Sequence, residues 1–136
     1  MTAFFDTNIL VYAFANEESK RKIAQKTLVS GGVISVQVLN EFANVLRKKQ
    51  RLEWESVQAA LIVVEGWFQT ALPLTIETHR AALALARGHT IAFYDALIVS
   101  AALEAGCDTL YSEDLQHGRR FGGCVIVNPF RDVPSQ

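Results

Sequence analysis

The sequence predicts a three-layer α/β/α domain around a central, mostly parallel sheet of five strands. Three observations lead there. Short apolar runs alternate with segments of helical periodicity, the pattern of a parallel sheet covered by helices on both faces. The chain has 136 residues, half of them hydrophobic, which suits one compact domain over 1–136 with a substantial core. The opening run Ala3-Phe4-Phe5 passes directly into Asp6-Thr7-Asn8 and then into Ile9-Leu10-Val11-Tyr12-Ala13-Phe14, a strand that turns at once into a helix.

Taken in order, residues 2–5 read as a buried strand and 8–14 as a first helix. Asn16-Glu17-Glu18-Ser19 offers a capped start to a second helix over 18–29, with Ile23, Leu28 and Val29 facing inward and Gly31-Gly32 stopping it. Val33-Ile34-Ser35 is the second strand, and Ser35 can cap a helix over 36–49 whose Leu39, Phe42, Ala43 and Leu46 recur at helical spacing. A further helix over 55–68 carries Val57, Leu61, Val64 and Phe68. After Pro73, Leu74-Thr75-Ile76 reads as strand three, and 78–88 as an Ala/Leu-rich helix closed by Gly88. The helix over 92–105 is apolar nearly all round and ends at Gly106. Thr109-Leu110-Tyr111 is strand four, a loop with Gly118, Gly122 and Gly123 follows, and Cys124-Val125-Ile126-Val127 is strand five. Fraying is expected in the last few residues.

Composition narrows the function classes. Charged residues make up 20%, too few for a disordered chain. The net charge of −1 argues against a generic nucleic-acid binder, but its distribution matters more. With four acids gathered in one cavity, ten remain elsewhere against 13 Lys and Arg, a surplus of about three positive charges. Cys107 and Cys124 lie in apolar company with no Cys-x-x-Cys, which predicts buried free thiols in a reducing cytoplasm. No signal peptide is expected, and the longest apolar stretch, Ile91 to Leu103, holds Asp95 and is too short to span a bilayer.

Four acids carry the chemistry. Asp95 has only apolar helical neighbours, Ile91, Ala92, Ile98 and Val99. A lone ionised carboxylate there is costly unless it is paired or bound to metal; the alternative is a first-turn acid favoured by the helix dipole. Glu41, between Val38 and Val45 and beside Phe42, lies at the edge of a buried stripe, or else is a rim charge. Asp6 alone reads as a helix cap and Asp114 alone as a turn acid, with Glu113 competing beside it. Taken together they read differently. Asp6 and Asp114 fall at carboxyl ends of parallel strands, where open α/β sheets bind ligands. Glu41 and Asp95 start from helices that can converge on the same crevice. Four carboxylates there cannot all ionise without a cation, and oxygen-only ligands favour Mg²⁺ or Mn²⁺.

Phe4-Phe5-Asp6-Thr7-Asn8, Glu41 after Ser35-Val36-Gln37-Val38, Phe93-Tyr94-Asp95-Ala96-Leu97-Ile98 and Tyr111-Ser112-Glu113-Asp114-Leu115 together resemble the PIN domain, in the form of the VapC-type toxin ribonucleases of toxin–antitoxin pairs. The resemblance covers nearly the whole chain in order. It implies a PIN-like, Rossmann-like fold and a cytoplasmic, Mg²⁺-dependent endoribonuclease, with Mn²⁺ able to substitute, that leaves a 5′-phosphate and a 3′-hydroxyl. Asp6 and Asp95 would be the principal metal ligands, with Glu41 and Asp114 completing the cluster directly or through water. Ser112 would orient its neighbours, and Thr7 and Asn8 would fix the turn presenting Asp6. The fourth acid is placed at Asp114 rather than Glu113 because the family pattern sets it two positions after the hydroxyl residue. The implied partners are RNA, a second copy of the chain, and an antitoxin whose tail blocks the acids, often with an Arg.

Substrate contacts are expected from Arg119 and Arg120 after Asp114, and from Arg47, Lys48, Lys49 and Arg51 after the Glu41 helix, for which a solvated helix face is the default. His79, His89 and His117 are scattered and read as surface or loop residues, while Trp54 and Trp67 are core or partner surface. Rival readings are a PIN-fold nuclease of RNA processing, a silent PIN-fold binding module, and a haloacid-dehalogenase-type phosphatase. The last wants an acid where Asn8 stands. A receiver domain lacks its Asp and Lys, and no Gly-x-Gly-x-x-Gly or Walker pattern is present.

Overall fold

The computed structural model describes residues 2–69 and 71–133. In chain order the elements are β1 (Ala3–Phe5), α1 (Thr7–Ala13), α2 (Glu18–Val29), β2 (Ile34–Ser35), α3 (Val36–Lys48), α4 (Trp54–Trp67), β3 (Ala71–Leu72), α5 (Ile76–His89), α6 (Phe93–Glu104), β4 (Thr109–Tyr111), β5 (Arg120–Phe121) and β6 (Cys124–Val127). The α/β class and the mostly parallel sheet agree with the sequence. The fraying expected at 134–136 lies outside the described residues.

The main sheet has four strands, not five, in the order β1-β4-β6-β5. β1, β4 and β6 run parallel, with Phe4 opposite Leu110 and Leu110 opposite Ile126. β2 pairs with β3 in a separate two-stranded ladder, joined to β1 only by a bridge between Val33 and Phe4. The reason is local. Ser35 leaves the strand to cap α3, accepting from the Val38 amide at 3.4 Å, so β2 is too short to extend the pairing. Gly32 allows the close approach to β1; a Cβ there would sit 2.5 Å from the Ala3 carbonyl oxygen.

Three boundaries differ from the sequence reading. Strand three lies at Ala71–Leu72, before Pro73, because the Thr75 hydroxyl caps α5 at the Thr78 amide (3.1 Å) and Ile76 is already helical. α5 runs past Gly88 and is closed by Thr90, which takes the left-handed conformation at φ 53°. The glycine loop holds an unforeseen strand: Gly122-Gly123 joins β5 to β6 in a tight antiparallel hairpin, with Gly122 at φ 57°. In α2, Glu17 makes no side-chain cap, and Val29 is exposed rather than inward.

The main core unites the sheet with α1 to α4 and α6, and a smaller cluster of Ala82, Ala96 and Leu97 joins α5 to α6. Phe4, Phe5, Ile9, Leu10, Val38, Phe42, Val64, Leu110 and Ile126 are wholly buried. α6 is buried without interruption from Ala96 to Ala102, as its all-round apolar sequence requires. Phe68 is only partly buried, against the main core, and Phe93 only partly buried, against the smaller cluster. Cys107 and Cys124 are buried free thiols. No single helix among the described residues is long and apolar enough to cross a membrane.

Candidate active site

The site is built on the carboxyl edge of the sheet. The Asp6 amide donates to the Tyr111 carbonyl at 2.9 Å and the Ser112 amide to that of Val127 at 3.0 Å, so β1, β4 and β6 end beside one another. Asp6 then caps α1 and is almost entirely buried. Its Oδ1 accepts from the Thr7 amide and its Oδ2 from the Ser112 hydroxyl, both at 2.7 Å. The Ser112 oxygen in turn accepts from the amides of Asp114 (3.1 Å) and Leu115 (3.3 Å). One buried hydroxyl therefore ties the Asp6 carboxylate to the turn that carries Asp114.

Asn8 clamps the same turn from α1. Its Nδ2 donates to Asp114 Oδ2 at 3.1 Å, and its Oδ1 accepts from the Glu113 amide at 3.2 Å. Glu113 and Asp114 have different partners. Glu113 accepts from Tyr12 at 2.6 Å and pairs with Lys20 at 3.0 Å, and Lys20 also donates to the Tyr12 hydroxyl. Asp114 is exposed and presses electrostatically on Asp6, Glu41 and Asp95.

Those three acids are all pushed toward their neutral forms. Burial raises the Asp6 carboxyl to about 7, the hydrogen bonds from Ser112 and Thr7 oppose this, and the charges of Asp114 and Glu41 add to it. Burial also raises Glu41, countered by Gln37, whose Nε2 donates to it at 3.1 Å, and reinforced by Asp95 and Asp114. Asp95, in the first turn of α6, is raised by burial and by Asp114. The four acids thus share one electrostatic environment, with Asp114 acting on each of the others.

Among the described residues, no three acid, His or Cys side chains are arranged to grip an ion together. The donor set nonetheless fits a hydrated hard cation. It is all oxygen, it holds excess negative charge, and Mg²⁺ keeps several waters and takes only one or two direct carboxylates. In the same turn the Thr7 hydroxyl is buried without a partner, an orphaned group that an ordered water would satisfy.

The basic residues divide. Arg119 donates to the His89 carbonyl at 2.6 Å and stacks on Phe121, so it braces β5 against the end of α5. Arg47 donates to the Leu52 carbonyl and stacks on Trp54. Arg120, Lys48, Lys49 and Arg51 are exposed, as are the three histidines. Sequence reasoning missed Tyr12 and Lys20, which no local pattern ties to Glu113 from so far along the chain. It also missed Gln37, although a Gln and a Glu four apart on a helix signal such a bond. Beside Glu41 lies a groove of about 590 Å³ lined by Gln37, Asn40, Asn44, Lys49 and Tyr94. An apolar hollow of about 370 Å³ opens between α2 and α4 at Leu28, Val29, Trp67 and Phe68.

Known proteins share this fold. No curated protein matches the sequence. Among solved structures, the chain is similar to a toxin–antitoxin complex from Klebsiella pneumoniae, at 24% identity and TM-score 0.68 over 94% of this chain and 98% of the other. It is similar to Mycobacterium tuberculosis VapC20, a sarcin–ricin loop cleaving toxin, at 18% identity and TM-score 0.69 over 83% and 90%. Rickettsia felis VapBC2, bound to a DNA fragment from its promoter, aligns at 20% identity and TM-score 0.64 over 93% and 97%. At such identities the likeness is one of fold. The sequence profile of the PIN domain, however, matches residues 3–120, from β1 through the acid-bearing turn after β4, and the chain belongs to the PIN domain family.

Proposed function

We propose that the chain is a divalent-metal-dependent endoribonuclease and the toxin of a cytoplasmic toxin–antitoxin pair. The observation that carries this reading is the electrostatic one. A buried Asp6 feels the charges of Glu41 and Asp114, and Asp95 feels that of Asp114, and among the described residues no basic side chain offsets them. Such a cluster is unfavourable by itself and becomes favourable around a cation.

Asp6 and Asp95 would hold the ion, with Glu41 and Asp114 joining directly or through water; Mg²⁺ fits the donors, and Mn²⁺ takes the same oxygen ligands. When bound, the ion supplies Lewis acidity toward a phosphodiester oxygen and a more acidic water. The protein supplies position. Ser112 and the Thr7 amide fix both oxygens of Asp6, Asn8 holds the turn, and Gln37 orients Glu41. An acid of the cluster could orient the attacking water and accept its proton. No histidine is required.

The fold likeness to toxin–antitoxin proteins supports an antitoxin partner, and exposed Trp54, Ile62, Val63 and Trp67 on α4 support self-association as a dimer. The test titrates Mg²⁺ and Mn²⁺ into wild type and Asp6→Asn and follows RNA cleavage. Metal-dependent cutting by wild type alone is expected; equal cutting by both rejects the site. Expression without a partner should arrest growth, and Asp95→Asn should relieve it. Harmless wild-type expression would reject the toxin role but not the nuclease.

A further inference from the structure

We infer that the groove between α3 and the start of α6 is a base-reading subsite for single-stranded RNA beside the acids, with Tyr94 as its stacking platform. The inference rests on the nuclease reading and adds where the strand lies and what reads it.

Tyr94 directly precedes Asp95 and is 64% exposed, although the helix is buried from Ala96 to Ala102. It lines the groove together with Asn40, Asn44, Lys49, Gln37 and Glu41. Gln37, which holds Glu41, begins the α3 side of the groove; from Glu41, within the acidic cluster, the lining runs on to Lys49, just past the last turn of α3. Eight residues of helix separate them, about 12 Å at 1.5 Å per residue. A stacked strand advances about 3.4 Å per nucleotide, so the groove takes roughly three.

The lining has the chemistry of a base-reading track. An aromatic face accepts any base, and carboxamides offer a donor and an acceptor side by side to a base edge. Asn40 and Asn44 are exposed and four residues apart, so they project from one side of α3. Lys49 is exposed and placed for a phosphate at the far end. Apart from Val45 and the Tyr94 ring, the side chains lining it are polar or charged, and the far more apolar hollow between α2 and α4 suits an apolar helix better.

The test uses short single-stranded RNAs of randomised sequence. Binding is read by fluorescence anisotropy in the non-cutting Asp6→Asn protein, and cut sites are read by sequencing 5′ ends with otherwise wild-type protein. Tyr94→Ala should weaken binding about ten-fold, and Tyr94→Phe, which keeps the ring, should restore it. Asn40→Ala with Asn44→Ala should redistribute the cut sites. If wild type cuts RNA but Tyr94→Ala binds as tightly and the Asn variants cut at the same positions, the groove is no subsite. If wild type cuts no RNA under any divalent metal, the nuclease reading fails, and this inference fails with it.

Discussion

Replacing Asp6 by Asn should stabilise the metal-free protein, and by an amount that depends on pH. The Asp6 carboxyl titrates near 3.8 in the unfolded chain and near 7 in the folded one. Between those values the unfolded state has lost its proton while the folded state keeps it, so stability falls as pH rises. The group is almost fully buried, so solvent screening takes little away. A shift of about three units corresponds to about 4 kcal/mol, absent below pH 4 and fully present above pH 7. Asparagine avoids this cost but disturbs one hydrogen bond: its carbonyl can still accept from Thr7, while its amide meets a Ser112 oxygen that already accepts twice. That returns about 1 kcal/mol. The net gain at pH 8 is about 3 kcal/mol, or about 10 °C in Tm for a chain of this length. The assay is thermal and urea unfolding of both proteins in EDTA from pH 4.5 to 8.5. Excess Mg²⁺ should then raise the Tm of wild type at pH 8 and leave Asp6→Asn nearly unmoved. A difference between the two proteins that stays flat with pH, or an Asn variant less stable at pH 8, would refute the reasoning.

Lys20→Met should cost about 1–2 kcal/mol in urea unfolding, because Glu113 keeps its charge and loses its partner in a mostly buried setting. If the acid-bearing turn depends on that anchor, Mn²⁺ affinity measured by electron paramagnetic resonance should fall as well; unchanged binding would confine Lys20 to stability. Gly32→Ala should destabilise by about 1–3 kcal/mol, since the new Cβ meets the Ala3 carbonyl and the Phe5 ring. An Ala variant as stable as wild type would show that the bridge to β1 yields freely. Arg119 and Arg120 should separate: Arg120→Ala should reduce the salt slope of RNA binding by about one, and Arg119→Ala should mainly lower Tm. Identical slopes in wild type and both variants would remove this end of the sheet from the RNA path.

Much of the fold was legible because helix and strand periodicity survive in single residues. α6 could be read from its unbroken apolar circumference, and α3 from Ser35 and the spacing of Phe42 and Leu46. What escaped were features set by two or three residues. Thr75 resembles strand sequence until Thr78 is recognised as its capping partner, and β5 is only two residues long. The sequence reading put five strands in one sheet for a similar reason: whether β2 joins β1 depends on one backbone bridge at Val33, which no residue pattern reveals. At the site, the acids were legible as types in positions, but their support was not. Lys20 meets Glu113 across 93 residues, and no local pattern in the chain announces that pair.

The adjacent acids Glu113 and Asp114 show why residue type alone cannot assign a site. Both are carboxylates on one turn, yet their surroundings divide them. Glu113 is neutralised from α1 and α2 by Tyr12 and Lys20 and so adds little negative charge to the crevice. Asp114 has only the Asn8 amide as a side-chain partner among the described residues, and its charge reaches the other three acids. A cation arriving at the crevice would be attracted to Asp114, which is exposed, before reaching Asp6, which is not. The buried acid is held at both oxygens by Thr7 and Ser112, and the same Ser112 oxygen accepts the Asp114 amide. A backbone shift of Asp114 toward a ligand would therefore pull on the hydroxyl that orients Asp6. Ser112→Ala would break this link without touching a carboxylate. Its effect should exceed that of an ordinary buried hydrogen bond, because one deletion leaves the Asp6 oxygen and two backbone amides without their partner.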